Sequence, residues 1–461
     1  MSSELPSQFD PIVATDLSVY RSDWWALGLL ADRRGDPFPS PRAAVIPRST
    51  SEVAEVVSWA SGEGIPVVAR GGGSGVCGGA VPGESAIVID LSALDSIGSI
   101  DPVSLVVTAE AGVRGPQLEE ALAHEGMTLG HVPQSFDLST LGGWISTKAT
   151  GQLSTRYGGI EDRLLGLTGV LADGTVVSSK ASPRASAGPD WWRMFVGSEG
   201  TAGIVTEATL ACHPVPESHR WIGTAVESFE SGLDLLRRLV HSGLRPSVAR
   251  LYDQADAALN FGRLGIADPV VILRFEGSPV LVDAEVSVAK VMVGGLPDVG
   301  PGPGEHWWGH RFRAVDAYRR LLAGEGALGS LGVVDTMEVA GFWSRLPDLY
   351  RSVSKALSGH ADGVLAHASH LYMSGANIYF TFLISSAEDE VDAERRYRAC
   401  WDAGMRATLE AGGTISHHHG IGMLKTRWMR EELGSGILVV EKLKHALDPE
   451  GIMNPGKVLP G

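Results

Sequence analysis

The segment Arg70–Gly79, RGGGSGVCGG, follows the short β-branched stretch IPVVA and places six glycines in ten residues. It contains a literal G-x-G-x-x-G at Gly73–Gly78. That pattern marks a Rossmann nucleotide site only where the loop opens a helix whose N-terminus receives a pyrophosphate. The next residues, GAVPGES, include Pro82 and predict no helix there. We therefore expect successive backbone N–H groups that bind an anion; the alternative is a glycine-rich turn without a ligand.

Two later segments are also rich in glycine and in small or hydroxyl-bearing residues. HVPQSFDLSTLGGWISTKATG, residues 131–151, carries hydroxyls and small side chains with little hydrophobic periodicity. VGSEGTAGIVTEATL, residues 196–210, is a further Gly/Ser/Thr loop that leads into a strand. Three such loops in one region are difficult to explain by packing alone. They predict a large, flat, phosphate-bearing cofactor in an extended groove.

The regular elements between these loops indicate a layered α+β fold. Ser49 and Glu52 have capping-box spacing and predict a helix that ends near Ser61. LLGLTGVLADGTVV predicts a hairpin that turns at Asp173–Gly174. After HPVPESHR, helices such as SGLDLLRRLVHSG alternate with strands such as DPVVILRFEG and NIYFTFLIS. These patterns predict a first domain over residues 1–215, a second over 216–410 and a C-terminal segment over 411–461.

Composition limits the partners and the compartment. The 461-residue chain has 38 Lys and Arg against 54 Asp and Glu, a net charge of −16, which argues against a nucleic-acid partner. Cys77, Cys212 and Cys400 form neither a disulfide pattern nor zinc spacing, which favours a reducing compartment. The acidic N-terminal sequence and the lack of an apolar run of about eighteen residues predict a cytoplasmic protein, at most peripheral to a membrane. Homodimer formation is compatible with the sequence.

Five motifs, RGGGSG, STLGGWISTKATG, YGGIEDRLLG, GSEGTAGIVTEA and DPEGIMNPGK, resemble in this order the FAD-linked oxidases of the vanillyl-alcohol oxidase superfamily. HVPQSFDLSTLGGWISTKATG, and SHHHGIG with LKTRWM, are similar to the alkyldihydroxyacetonephosphate synthases of ether-lipid synthesis. Gln134 departs from the synthases, which usually have an acidic residue there. The resemblance implies an α+β fold: a two-subdomain FAD-binding domain of vanillyl-alcohol oxidase type and an α+β substrate (cap) domain with an antiparallel sheet.

The resemblance also implies which residues contact FAD. They are Arg70, Gly71, Gly72, Gly73, Ser74, Gly75 and Val76; Gln134, Ser135, Phe136, Asp137, Leu138, Ser139 and Thr140; Thr147, Lys148, Ala149 and Thr150; and Glu199, Gly200, Thr201, Ala202, Gly203, Ile204 and Val205. Many relatives attach the flavin covalently through a histidine in the first glycine loop. No histidine occurs between Arg70 and Gly79, so we expect noncovalent FAD.

The stretch ISHHHGIG places His417, His418 and His419 in a glycine-rich frame. Metal-binding helices space their histidines by four residues, and consecutive side chains of an extended segment alternate, so only His417 and His419 could share an ion. We therefore predict no metal site. A second alternative is one packed and two solvated histidines. The favoured interpretation is that the glycines bring the three imidazoles to the flavin, where they transfer protons.

Two kinds of side chain gain a role from the resemblance. As a strand residue Tyr379 is an ordinary β-former, but it matches the tyrosine that is the active-site acid/base of the synthases; Tyr372 is then a neighbour. Arg250 in VARLYD and Arg320 in AYRRLL match synthase arginines and are candidates to bind a substrate phosphate or carboxylate. Solvation at the surface is the alternative for Arg250, and the adjacent Arg319 competes with Arg320.

These features lead to an FAD-dependent transferase that exchanges the acyl group of acyl-dihydroxyacetone phosphate, a lipid-like phosphate, for a fatty alcohol. The flavin would act as an electron sink without net redox change. The alternative is an FAD-dependent oxidoreductase acting on a 2-hydroxy acid such as D-lactate or glycolate, because fold does not settle function. Such enzymes tend to carry GHxGDGN where this chain has SHLYMSGAN. A flavin-binding protein without turnover is the third possibility.

Overall fold

The computed structural model describes residues 5–460, with the side chains of residues 10, 11 and 314 excepted. Its strands are β1 (Ala43–Val45), β2 (Val67–Arg70), β3 (Ile87–Asp90), β4 (Ile97–Asp101), β5 (Val106–Glu110), β6 (Met127–Thr128), β7 (Leu164–Val170), β8 (Val176–Ser178), β9 (Ile204–Ala211), β10 (His213–Pro214), β11 (Ser218–Ala225), β12 (Val248–Tyr252), β13 (Val270–Gly277), β14 (Val333–Phe342), β15 (Gly363–Ala368) and β16 (Gly375–Ile384).

Its α-helices are α1 (Ala26–Arg33), α2 (Thr50–Gly62), α3 (Gly115–His124), α4 (Leu141–Thr147), α5 (Ser154–Tyr157), α6 (Ile160–Arg163), α7 (Phe229–His241), α8 (Gln254–Phe261), α9 (Pro279–Met292), α10 (Gly302–His310), α11 (Arg313–Leu322), α12 (Leu346–Ser358), α13 (Glu390–Glu410), α14 (Met429–Leu433) and α15 (Ile437–Leu447). Short 3₁₀ helices span Ser7–Ile12, Ser18–Tyr20, Leu91–Ala93, Trp191–Phe195, Gly262–Leu264, Thr426–Trp428 and Gly434–Gly436. In the part of the chain that the structure describes, no helix is both long enough and apolar enough to span a bilayer.

The chain folds into two compact units. The first contains the chain up to Thr150, then Gly159–Pro214, and again the chain from His418 onward. The second contains Gly151–Gly158 and Val215–His417. The predicted C-terminal segment is therefore divided between the two units at His417. No sequence signal had indicated that Gly151–Gly158 belongs to the second unit.

The first unit contains two sheets, each with its own apolar core. The parallel strands in the order β1-β3-β2 and helix α2 enclose one cluster of buried residues, which includes Val56 and Ile87. The antiparallel order β4-β5-β9-β7-β8 encloses the other with α3 and α4, including Leu118 and Ile145. This is the predicted α+β architecture of two subdomains, and it is confirmed.

The local predictions in this unit were also correct. Helix α2 begins after Ser49, whose hydroxyl accepts a hydrogen bond from the backbone N–H of Glu52 at 3.2 Å. The carboxylate of Glu52 accepts from the N–H of Arg48, one residue before the capping-box donor. Strands β7 and β8 form the predicted hairpin, with Gly174 at φ +85° in its turn. No helix follows the glycine loop up to β3.

The second unit is built on a six-stranded sheet in the order β11-β13-β12-β15-β16-β14, with antiparallel neighbours. Alternate residues of a strand point to opposite faces. Ile378, Phe380 and Phe382 of β16 are fully buried on the face that packs against α12 and α13. Their neighbours Tyr379 and Thr381 are only partly buried and lie on the opposite face. We call the two sides the helix face and the polar face.

Strand register brings four polar side chains into one row across the polar face. Glu338 of β14 pairs with Tyr379 of β16, Tyr379 pairs with His367 of β15, and His367 pairs with Tyr252 of β12. Directly paired residues share a face, and Arg250, two residues before Tyr252, shares it as well. Helices α8 and α10 cover this face at one end. The row therefore places several titratable side chains together on the polar face of the second unit.

Candidate active site

The glycine loop of the first unit lies directly against a second predicted cofactor segment. A Cβ atom on Gly72 would collide with the carbonyl oxygen of Leu138, and one on Gly71 with the hydroxyl of Thr140. Gly73 has φ +61°, a left-handed conformation that glycine adopts without strain. Glycine is therefore required at position 72, where two backbones approach closely, as in loops that surround a pyrophosphate.

Arg70 supports this loop from the protein side. Its guanidinium donates hydrogen bonds to the carbonyl oxygens of Ser22, at 3.0 Å, and Val19, at 3.1 Å. It also lies over the ring of Tyr20, 5.6 Å from the centroid. Burial lowers the pKa of this guanidinium. The hydrogen bonds to Ser22 and Val19 show that Arg70 supports the loop. A direct contact of Arg70 with FAD stays a prediction.

Glu199 connects the GSEGT loop to the glycines that follow the three histidines. Its carboxylate accepts hydrogen bonds from the backbone N–H groups of Ile421, at 2.6 Å, and Gly422, at 2.9 Å. Its own backbone has φ +50°, which is costly for a residue with a side chain. Burial raises the pKa of Glu199 to about 7, although the two donors act to lower it. The buried carboxylate thus holds Ile421 and Gly422 against a predicted FAD loop.

The C-terminal NPGK motif binds the backbone of the glycine loop and of the GSEGT loop. The side-chain Nδ2 of Asn454 donates to the carbonyl oxygens of Glu199, at 2.5 Å, and Gly79, at 3.0 Å. Nζ of Lys457 donates to the carbonyl oxygen of Val81 at 2.7 Å, and burial lowers its pKa to about 8. The motif therefore joins the ends of the glycine loop and the GSEGT loop.

The remaining predicted FAD residues lie around helix α4. The Thr140 hydroxyl caps its N-terminus by accepting from the N–H of Gly143 at 3.4 Å, and the Thr147 hydroxyl donates to the carbonyl oxygen of Gly143 at 2.8 Å. Lys148 ends the helix with φ +54°. The N–H of Glu199 donates to the carbonyl oxygen of Ser146 at 2.8 Å. All four predicted FAD segments thus meet in the first unit, and a loop in which Gly71 and Gly72 leave no room for a Cβ atom fits a pyrophosphate-bearing flavin.

Tyr379 lies in a buried cluster of the second unit. Its hydroxyl donates to Oγ1 of Thr336 at 3.0 Å, and its ring stacks on that of His367 with centroids 4.9 Å apart and planes at 17°. Oδ2 of Asp256 lies 2.9 Å from Nδ1 of His367. Burial raises the pKa of Tyr379 above its ordinary value, and the carboxylate of Glu338 adds to the shift. The phenol is therefore protonated at neutral pH.

The two predicted substrate arginines differ in position. Nε of Arg250 donates to the Tyr252 hydroxyl at 2.7 Å, and its guanidinium lies 4.8 Å from the ring centroid of Trp307. Arg250 therefore belongs to the same polar face as Tyr379. The Arg320 side chain is 71% exposed on α11, and its Nε lies 3.5 Å from Oε2 of Glu325. Substrate binding by Arg320 stays a prediction that these contacts do not support.

The three histidines are divided between the units. His417 belongs to the second, where its Nε2 lies 2.7 Å from the Tyr372 hydroxyl and its ring stacks on His370 at 5.1 Å. His418 and His419 belong to the first, with ring centroids 4.6 Å apart. The expectation that consecutive imidazoles point to opposite sides is wrong for this last pair, because the segment is bent and not extended.

The sequence analysis missed several residues that lie around Tyr379 and His417 in the second unit. Tyr372, expected to be a mere neighbour, is bonded to His417. Glu338 accepts from the backbone N–H of His417, at 3.2 Å. His367 becomes a candidate only when the register of β15 and β16 is known. Asp256 lies 111 residues before His367, and no sequence signal could have joined the two.

The comparisons with known proteins cover nearly the whole chain. Residues 41–180 match the FAD binding domain family, and residues 215–458 match the C-terminal domain of FAD linked oxidases. An uncharacterized FAD-linked oxidoreductase, YgcU, from Escherichia coli is 35% identical over 92% of this chain and 90% of its own length. Alkyldihydroxyacetonephosphate synthase from Trypanosoma brucei brucei is 30% identical over 93% of this chain and 75% of its own.

A more distant relative has a different activity in its name. Glycolate oxidase subunit GlcD from Bacillus subtilis is 26% identical over 91% of this chain and 89% of its own length. A solved structure of alkyldihydroxyacetonephosphate synthase covers 98% of this chain and 85% of its own with a TM-score of 0.80 and 24% identity, which shows the shared fold. With both family domains matched in order and relatives of at least 30% identity along the chain, this protein belongs to the FAD-linked oxidase family of FAD-binding enzymes.

Proposed function

We propose that the chain is an FAD-dependent transferase similar to the alkyldihydroxyacetonephosphate synthases, exchanging the acyl group of acyl-dihydroxyacetone phosphate for a fatty alcohol. The observation that carries the proposal is that Tyr379 and Arg250, both assigned from the synthase resemblance, share the polar face of one sheet. The similarity to the Trypanosoma synthase supports it. Ether-lipid synthesis is the implied process, and a lipid-like phosphate is the substrate class.

Arg250 is the group that would bind the substrate phosphate. Its Nε is used by Tyr252, and within residues 5–460 its terminal nitrogens make no hydrogen bond, so their N–H groups remain for an anion. A planar guanidinium binds phosphate through paired donors. Trp307, against which the guanidinium lies, restricts its motion and partly desolvates it. Both effects favour a fixed orientation of the substrate.

Tyr379 and His417 would transfer protons in the two halves of the exchange. The Tyr379 hydroxyl would take part in proton transfer at the substrate carbon. His417, whose Nε2 bonds the Tyr372 hydroxyl, would assist deprotonation of the incoming alcohol. His418 and His419 remain candidates for the same step. When bound, FAD supplies an electron-accepting ring system.

An oxidoreductase acting on a 2-hydroxy acid is the second candidate. The names of the E. coli relative and of the B. subtilis glycolate oxidase subunit favour it. Arg250 would then hold a carboxylate in place of a phosphate. The two functions differ in whether the flavin is reduced by the substrate.

The first prediction separates these functions. Wild-type holoenzyme given acyl-dihydroxyacetone phosphate and a fatty alcohol should release fatty acid and form the ether product. D-Lactate or glycolate should leave the flavin absorbance unchanged. Loss of the flavin absorbance with a 2-hydroxy acid, without fatty acid release, would show that the protein is an oxidoreductase and not a transferase.

The second prediction concerns attachment of the cofactor. We propose that FAD is noncovalent, because the first glycine loop has no histidine. Acid precipitation should therefore leave the yellow colour in the supernatant, where chromatography against FAD and FMN standards identifies FAD. Colour that stays with the precipitated protein after washing would contradict this.

The third prediction tests Tyr379. Tyr379→Phe should lower the rate of fatty acid release by roughly 10²–10⁴-fold, the usual contribution of a proton-transfer group, while FAD stays bound. Tyr397→Phe is the matched control, because the Tyr397 hydroxyl donates to Asp335, the residue next to Thr336, at 2.9 Å. Equal rates of fatty acid release in the two variants would show that Tyr379 has only a structural role.

The fourth prediction tests the arginines. Arg250→Lys keeps the charge but loses the planar fork, so binding of the phosphate substrate should weaken by about 1.5–3 kcal/mol, the range for charged hydrogen bonds. Isothermal titration would measure this, with Arg319→Lys and Arg320→Lys alongside. A loss confined to Arg320→Lys would assign phosphate binding to Arg320 and exclude Arg250.

A further inference from the structure

His367 occupies the centre of the row on the polar face. It pairs with Tyr379 on one side and Tyr252 on the other, with ring centroids 4.9 Å and 5.5 Å from its own. Its side chain is 14% exposed. An imidazole held between two aromatic rings has little freedom to rotate. The orientation of its two nitrogens is therefore fixed by packing.

Asp256 determines which nitrogen carries the proton. Its Oδ2 lies 2.9 Å from Nδ1 of His367, and its Oδ1 accepts from Nδ2 of Asn260 at 2.6 Å. An ionised carboxylate can only accept, so the hydrogen of neutral His367 is on Nδ1 and the lone pair is on Nε2. Within residues 5–460, Nε2 makes no hydrogen bond. The pair therefore has the arrangement of an oriented base whose accepting nitrogen is available.

Tyr379 has the opposite character. Its hydroxyl donates to Thr336, and burial, with Glu338 and Asp335, raises its pKa. Burial lowers the pKa of His367, Arg250 acts in the same direction, and Asp256 opposes both. Tyr252, on the other side of the imidazole, also has a pKa raised by burial. At neutral pH the row thus contains a neutral imidazole that can accept a proton between phenols that can donate one.

We propose that Nε2 of His367, oriented by Asp256, is the base that removes the substrate proton, and that Tyr379 acts beside it as the hydrogen-bond donor. This inference rests on the proposed transferase function. The C–H bond next to the ketone of acyl-dihydroxyacetone phosphate breaks, and the N–H bond forms at Nε2. The electron pair moves into the ketone, whose oxygen accepts the Tyr379 hydrogen bond in place of Thr336, and Nε2, whose proton exchanges with solvent, returns a proton to the carbon.

The experiment measures exchange of the substrate hydrogen with solvent. Holoenzyme is incubated with acyl-dihydroxyacetone phosphate in D₂O without alcohol, and NMR follows deuterium entering the carbon. His367→Gln keeps an amide for Asp256 but cannot accept the proton, so exchange should slow by roughly 10²–10⁴-fold. His306→Gln is the matched control, since His306 lies on α10 and stacks on His310.

A pH profile separates a base from a structural residue. Wild-type kcat/KM should fall as pH decreases below the ordinary histidine pKa of 6.5, because protonated His367 cannot accept. Asp256→Asn removes the charge that stabilises the imidazolium, so this fall should shift to lower pH. His367→Gln should retain FAD and remove the fall.

The outcomes are distinguishable. If wild-type enzyme exchanges deuterium and His367→Gln does so equally fast, the inference is wrong and the transferase proposal stands. If wild-type enzyme neither exchanges nor releases fatty acid, the transferase proposal fails, and the inference fails with it. If kcat/KM falls at the same low pH in Asp256→Asn and in His367→Gln as in the wild type, the role of His367 as the base is also wrong.

Discussion

The antiparallel register of β16 between β14 and β15 determines which side chains meet in the second unit. It places Tyr379 opposite Glu338 on one side and His367 on the other. A shift by one residue would move every side chain of the strand to the other face. Phe380 would then replace Tyr379 on the polar face. The fully buried Phe380 and Phe382 on the helix face prevent this shift, so the apolar packing fixes the polar row.

The sequence predicted best what local chemistry decides. The cap at Ser49, the Asp173–Gly174 turn and the absence of a helix after the glycine loop depend on neighbours a few residues away. The fold class followed because these signals agreed with one another. The polar row could not be predicted in this way. His367 and Asp256 meet through strand pairing and helix packing, and neither residue has a distinctive local pattern.

The histidine triplet shows the limit of reasoning from regular geometry. Alternation holds for a strand, but the chain bends at residues 417–419 and Gly420 has φ +83°. His417 is held by Glu338 and Tyr372, whereas the segment after His419 is held by Glu199. One short stretch thus contributes to both compact units. Its glycines allow the change of direction that this division needs.

The hydrogen bonds from Asn454 to Gly79 and Glu199 set an order for biosynthesis. Asn454 is added 375 residues after the first partner and 255 after the second. At about 5–20 residues per second on the ribosome, the glycine loops wait roughly 10–50 s for it after the second partner has been made. During that interval the carbonyl oxygens of Gly79 and Glu199 lack the donor that joins them. The finished cofactor cradle therefore cannot form before residue 454 has been synthesised, and flavin loading that requires the cradle follows that step.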